Sequence, residues 1–184
     1  MRRCAAPAVA AAVSALVAAG CGAARETPSL EGDLTVAQAR AFDDFPLYYA
    51  GESVDGLPLA AIVRRNDTAS YVSFVYGDCE PAAYDQGCAP PAEIQVWPVC
   101  RRTLELYGAD SPGSPALEPT TIQGVPGALL DGGLQLELQA GRATVVVFGD
   151  SRARVSRIGR ALRVVGSASI DGSLPAPVAE PCGR

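Results

Sequence analysis

Histidine and lysine are both absent from this chain of 184 residues. Without histidine there is no side chain that ordinarily titrates near neutral pH, which excludes the usual general base of hydrolases and the imidazole metal ligand. Without lysine, Schiff-base chemistry and a Walker-type phosphate loop are excluded. Any catalysis would fall to Asp, Glu, Ser, Cys, Tyr or Arg. All 15 basic residues are arginine, the usage expected of a GC-rich genome. Positive charge is also scarce. Net charge is −5, and without the first 20 residues 13 arginines face 20 acidic residues, for −7. That balance argues against nucleic acid as a partner, which calls for a basic footprint. Beyond the N-terminus, no segment approaches the roughly 18 apolar residues of a membrane span.

What is present fits one domain. The length suffices for a real core, and 48% hydrophobic residues is a globular composition. The N-terminus, "MRRCAAPAVAAAVSALVAAGC", has a signal-peptide layout: Arg2 and Arg3, an apolar run from Ala5 to Ala19, then small residues. Its end, "VAAGC", resembles the bacterial lipobox. Ala18 stands where leucine is usual, with Leu16 and Val17 just upstream. The resemblance implies lipidation at Cys21, removal of residues 1–20, and a membrane anchor of more than one acyl chain, palmitate-type chains included. The alternative is a secreted protein cut after Ala24. Residues 21–33, small, polar and punctuated by Pro28, read as a flexible tether. A single domain over residues 34–184 with a Pro-rich C-terminal tail follows.

Six cysteines occur. Cys4 belongs to the signal and Cys21 to the lipid. Cys79, Cys88, Cys100 and Cys182 remain, an even number in an exported chain, which implies two disulfides with three connectivities open. "YVSFVYGDC" ends a strand at Cys79, and "CAPPAEIQVWPVC" opens another after Cys88. Pairing of these strands as a hairpin favours Cys79–Cys88, leaving Cys100 to hold the tail through Cys182. No C-x-x-C spacing occurs, so zinc and redox readings are weak.

The remaining pattern is strand-rich. Thr35 can cap a short helix over 35–42. Residues 45–52 look extended, and 57–65 and 71–77 are strands. Residues 66–70 are a turn signal. Residues 93–99 alternate, with Ile94, Val96 and Pro98 on one face. Residues 108–119 form a Pro/Gly/Ser loop. Residues 120–150 read as strands joined by short turns, with Asp131-Gly132-Gly133 at one bend, and "ATVVVFG" is the most buried candidate. "DSRARVSRIGRALRVVG" is the one strong helix. Val155, Ile158, Ala161, Leu162 and Val165 fall on one side, arginines on the other, and Gly166 ends it. The expectation is an α+β fold: an antiparallel sheet of about six strands with one principal amphipathic C-terminal helix, stabilised by disulfides.

Four constellations offer chemistry. "FGDSRA" resembles the first block of the GDSL-type serine hydrolases, which implies a nucleophile at Ser151. That block belongs near the start of a long α/β domain followed by a catalytic histidine. Ser151 has 33 residues after it and no histidine to pair with, so no triad can assemble. Helix capping by Asp150 or Ser151 explains the letters better. Asp78, Glu80 and Asp85 could offer oxygens to calcium, but the spacing fits no EF-hand, and a solvated loop is the simpler reading. The arginine face (Arg152, Arg157, Arg160 and Arg163, with Arg154 beside them) could meet anionic lipid headgroups or an acidic polymer; a solvated helix face is the simpler reading. Phe45, Tyr48, Tyr49, Tyr71, Phe74, Tyr76 and Trp97 could line a groove, or fill the sheet core.

"LYYAGE", "VSFVYGDC" and "CAPPAEIQVWPVC" after a lipobox resemble uncharacterised lipoproteins of high-GC Gram-positive bacteria, a likeness that implies export and anchoring and no activity. The reading is a non-enzymatic extracytoplasmic lipoprotein on the cell membrane. It needs no metal or cofactor, and its partner is an envelope protein, glycan or small ligand. A carboxylate-based envelope hydrolase is the alternative and would need two carboxyl groups about 5 to 9 Å apart in a cleft.

Overall fold

Two-residue turns organise the backbone. In the computed structural model, which describes residues 34–65, 70–79, 88–102, 117–167 and 173–178, strand β1 is Tyr48–Tyr49, β2 Ser53–Val54 and β3 Leu57–Arg64. Asp55 and Gly56 join β2 to β3, both at positive φ (52° and 79°). That is the turn whose twist matches paired strands. Gln123 and Gly124 (φ 50° and 82°) do the same between β6, Glu118–Ile122, and β7, Val125–Leu130. Gly141-Arg142 joins β8, Gln135–Ala140, to β9, Ala143–Gly149, with only Gly141 at positive φ. A single 3₁₀ turn over Asp131–Gly133 joins β7 to β8, at the bend the sequence predicts.

With β4, Val72–Tyr76, and β5, Ala92–Pro98, these strands form one eight-stranded sheet in the order β2-β3-β4-β5-β9-β8-β7-β6, antiparallel throughout. The fold is therefore mostly antiparallel sheet, as expected, but larger than about six strands. A second, two-stranded sheet pairs β1 with β10, Arg163–Val164. The edges are short: Ser53–Val54 has a composition that reads as loop, and Glu118–Ile122 begins two residues earlier than the sequence suggests, so that Glu118 and Pro119 belong to β6 rather than to the Pro/Gly/Ser loop. Residues 108–116 of that loop, the signal and tether over residues 1–33, and most of the 66–70 turn lie outside the described residues.

Two helices are described. Helix α1, Val36–Arg40, is capped by Thr35, whose side chain accepts from the Gln38 N–H while Gln38 reaches back. Helix α2, Arg152–Ala161, is the principal one. It stops five residues before Gly166. Leu162 is extended (φ −60°, ψ 138°) and Arg163–Val164 pair with Tyr48–Tyr49. The helical spacing that runs on to Val165 loses to strand pairing, which suits the β-branched Val164 and Val165. The carbonyls left open at the helix end are taken by Gln123, whose Nε2 donates to Gly159 O at 2.9 Å and Leu162 O at 3.0 Å.

The core lies between α2 and one face of the sheet. Phe74, Ile94, Val96, Leu136, Leu138, Val145 and Val147 point into it and meet Val155, Ile158 and Leu162. The lateral register of these residues is the reason they share a face. The tail returns to the same body: Leu174 is buried, and Gly141 donates to Pro175 O at 3.0 Å.

Candidate functional site

Cys79 and Cys88 are joined across the β4–β5 connection, with Cα atoms 5.9 Å apart, so the hairpin argument holds. Cys100, just after β5, is also disulfide-bonded. Its expected partner Cys182, and the lipidation residue Cys21, lie outside the described residues.

Ser151 caps α2, accepting from the Arg154 N–H. It is a capping residue, one of the two the sequence offers for this helix. Of the acidic loop, Asp78 is exposed, while Glu80 and Asp85 lie outside the described residues. Among the described residues no three Cys, Asp or Glu side chains converge on a point suited to a metal.

The seven aromatics divide. Tyr48, Tyr49, Phe74 and Tyr76 are buried in the core. Tyr76 Oη accepts from the Ala50 N–H at 3.0 Å and donates to Gly51 O at 3.1 Å, pinning the segment between β1 and β2. Burial raises the pKa of both Tyr76 and Tyr48, that of Tyr48 to about 12. Phe45 is half-buried beside Phe42. Tyr71 and Trp97 lie on the opposite face of the sheet, stacked with ring centres 4.2 Å apart.

That second face mixes buried apolar residues, Val75 and Val146, with a network of buried and half-buried polar ones. Glu93 accepts from Ser73 Oγ and from Gln95 Nε2 (3.0 Å), and Gln95 in turn accepts from Trp97 Nε1 at 3.1 Å. Glu137, fully buried, pairs with Arg102 and accepts from Gln135 Nε2 at 2.6 Å. Arg102 also lies over the Trp97 ring, 5.4 Å from its centre. The two carboxylates are separated by the intervening strand β9 and two residues of register, about 12 Å between Cα atoms.

The arginines of α2 do not form one cationic face. Arg152 makes a two-pronged pair with Glu118, the first residue of β6. Arg154 reaches Asp55 at 2.8 Å and also Asp150, and Arg157 reaches Asp55 at 2.7 Å. Hydrogen bonds from Arg157 and then Arg154 hold the Asp55 carboxyl well below the usual carboxylate range, and Arg152 lowers that of Glu118 in the same way. Arg163 is not on the helix at all. It lies in β10 with its guanidinium over Tyr49, close enough to Gly51 that a Cβ there would meet it at 2.4 Å. Only Arg160 is exposed without an ion-pair partner among the described residues of α2.

Asp55 and Glu118 sit at opposite margins of the sheet. Laid flat, eight strands would span about 34 Å, whereas a helix with its side chains is about 10–12 Å across. Arginines two residues apart on α2 reach both margins, so the sheet curls around the helix. Curling leaves a cleft of about 290 Å³ between α2 and β6. One wall is Glu118, Thr120 and Ile122, alternate residues of a strand; the other is Arg152, Ser156 and Arg160, four apart on a helix. Leu129 and Leu136 form the floor. Gly159 lets the helix settle onto that floor, since a Cβ there would lie 2.6 Å from Leu136 Cδ2.

Of this cleft, the sequence points to Arg152 and Arg160. Glu118, Thr120 and Ser156 escape it, as does Asp55 at the opposite margin of the sheet. The available signals are the Asp-Gly and Gln-Gly dipeptides, which mark hairpins, and the four-residue spacing of Arg152, Ser156 and Arg160.

No protein-family model, no curated protein and no solved structure matches this chain.

Proposed function

We propose that the chain is an exported module of the cell envelope, anchored to the outer face of the membrane by lipid on Cys21, that binds a ligand rather than transforming one. The Cys79–Cys88 disulfide, with Cys100 also oxidised, carries this reading, because such bonds persist in oxidising compartments outside the cytoplasm. The lipobox-like "VAAGC" supports the anchor. Binding is favoured over hydrolysis by the chemistry of the carboxylates. The cleft against α2 has one carboxylate, Glu118, already paired with Arg152. Glu93 and Glu137 lie on the opposite face of the sheet from that cleft, each engaged by neighbouring side chains. An arginine-helix contact with anionic lipid is weakened by the pairing of Arg152 and Arg157 and by the place of Arg163 in a strand.

The test is an intact mass of unreduced protein taken from its own membrane after free thiols are blocked. The expected result is a chain that begins at Cys21, carries lipid and takes up no blocking reagent, with Cys100 paired to Cys182. A lipid-free chain with several blocked thiols would overturn the reading and return metal and redox chemistry at the four cysteines to consideration.

A further inference from the structure

We infer that Asp131–Gly132, in the turn between β7 and β8, is a site of spontaneous covalent modification at which the backbone isomerises to isoaspartate, and that the arginines of α2 protect the same dipeptide at Asp55–Gly56. The inference is independent of what the chain binds.

Three Asp-Gly dipeptides occur, at 55–56, 131–132 and 171–172. The last lies outside the described residues. Such a pair is reactive because glycine has no side chain to keep the carboxyl away from the next amide nitrogen. The Gly132 nitrogen attacks Asp131 Cγ. The amide proton and the carboxyl hydroxyl leave together as one water, and a cyclic succinimide closes. Water then adds back at either carbonyl. Addition at Cγ restores aspartate. Addition at the α-carbonyl leaves the chain running through Cβ and Cγ, with the α-carboxyl free. The water lost is the water regained, so the step needs no oxidant, reductant or co-reactant.

Around the backbone the two described sites are alike. Asp131 and Asp55 both have positive φ (49° and 52°), and a Cβ on Gly132 or Gly56 would meet nothing within 4 Å. The carboxyls differ. Asp131 is exposed, and among the described residues no arginine and no hydrogen-bond donor reaches its carboxylate. Asp55 is held by three N–H groups. Arg154 Nε lies at 2.8 Å and Arg157 Nη2 at 2.9 Å from Oδ2, and Arg157 Nε lies at 2.7 Å from Oδ1. Charge-assisted bonds to both oxygens fix the carboxyl plane, so Cγ does not turn toward the Gly56 nitrogen. The same bonds keep Asp55 ionised, and a carboxylate has no hydroxyl to lose.

Isoaspartate changes the turn that forms it. Residues 131–133 close the gap between Leu130 and Gln135, which face each other in register. The Asp131 carbonyl accepts from the Leu134 N–H at 3.1 Å. In isoaspartate that carbonyl leaves the main chain and a methylene enters it. Gly133 lies against Arg152, where a Cβ would come within 2.7 Å of Arg152 Cγ. The change therefore reaches the arginine that pairs with Glu118.

The test is to age the full protein at neutral pH and follow isoaspartate at each position by tryptic peptide mapping, with electron-transfer fragmentation to separate isoaspartate from aspartate. An unaged sample corrects for isomerisation during digestion. The same chain is aged in urea, where neither site has a folded environment. The double variant Arg154→Gln with Arg157→Gln is aged beside the native protein, and circular dichroism checks that it is folded, with Arg157→Gln alone in its place if it is not. Expected in the folded protein is isoaspartate at 131, forming at least tenfold faster than at 55. In urea the two rates should converge, and in the arginine variant the rate at 55 should rise severalfold while that at 131 is unchanged. No isoaspartate at 131 in the folded protein, or equal rates at 131 and 55 there, would overturn the site. A tenfold difference that persists in urea, or no rise at 55 in the arginine variant, would overturn protection by α2.

Discussion

The two faces of the eight-stranded sheet are buried by different means. Beneath α2, Phe74, Ile94, Leu136, Leu138, Val145 and Val147 exclude polar side chains, and burial of apolar area supplies the stability. On the opposite face, Ser73, Thr144 and Glu137 are just as inaccessible, at 4%, 0% and 0% exposure. There burial is tolerated because the polar atoms partner one another: Ser73 with Glu93, Thr144 Oγ1 with Arg102 O, Glu137 with Arg102 and Gln135. Pairing on that face is incomplete, because Arg102 Nε and Glu137 Oε2 find no hydrogen bond. One face therefore excludes polar side chains, whereas the other buries them beside Val75 and Val146 and depends on their pairing, which makes it vulnerable to loss of a single member.

Truncation on the core face should have the largest effect. Phe74→Ala, at a fully buried site, is expected to cost about 4 kcal/mol in urea unfolding through lost transfer energy and the cavity left behind. On the polar face, Arg102→Ala should cost about 3 kcal/mol, because it strands a buried carboxylate. The sharper comparison is the double exchange Arg102→Met with Glu137→Leu, expected to recover most of that loss or exceed it. If the double variant is as unstable as the single one, the pair stabilises the fold in its own right and the contrast between faces fails.

Replacing Cys79 and Cys88 together by serine opens a loop of nine residues and should cost about 2.5 kcal/mol, read as a shift in urea midpoint. Equal midpoints for the two proteins would remove the disulfide from the account of stability.

The smallest effect expected is at Asp55. Its carboxyl ionises more readily in the folded state than in the unfolded chain, so it stabilises the fold above its ordinary pKa of 3.8, and that contribution is lost progressively as pH falls below this value. Stability of the native protein should therefore fall more steeply than that of Asp55→Asn between about pH 5 and pH 2. Parallel curves would mean that the arginines of α2 do not hold the β2–β3 turn.

Strand by strand, legibility followed the number of buried faces. "LQLELQA" alternates because Leu136, Leu138 and Ala140 enter the core while Gln135, Glu137 and Gln139 face the polar network, so its register can be read directly. "ATVVVFG" does not alternate, because β9 is central and Val146 is as buried as Val145 and Val147; burial was legible there and the division of faces was not. The end of α2 was misread for another reason. Val165 continues a helical period that is only local, whereas the β1–β10 pairing joins residues more than a hundred positions apart. Arg163 was misplaced with it. Arg152 and Arg160 stood out in the sequence, but nothing local shows that Glu118 neutralises one and no acid reaches the other.

By itself the sequence determined the strand-rich class of the fold and the exclusion of a histidine-dependent triad, and it pointed to the cap at Thr35, to a cap at Asp150 or Ser151 and to the Cys79–Cys88 bridge. Each of these depends on residue chemistry or on neighbours only a few positions away. The tertiary structure alone decided that the sheet curls, that Asp55 and Glu118 meet arginines of one helix from opposite margins, and that a cleft opens beside Arg160. These depend on strand order and on ion pairs between distant residues (34 positions from Glu118 to Arg152 and 102 from Asp55 to Arg157), and periodicity in a chain records which side is buried but not against what.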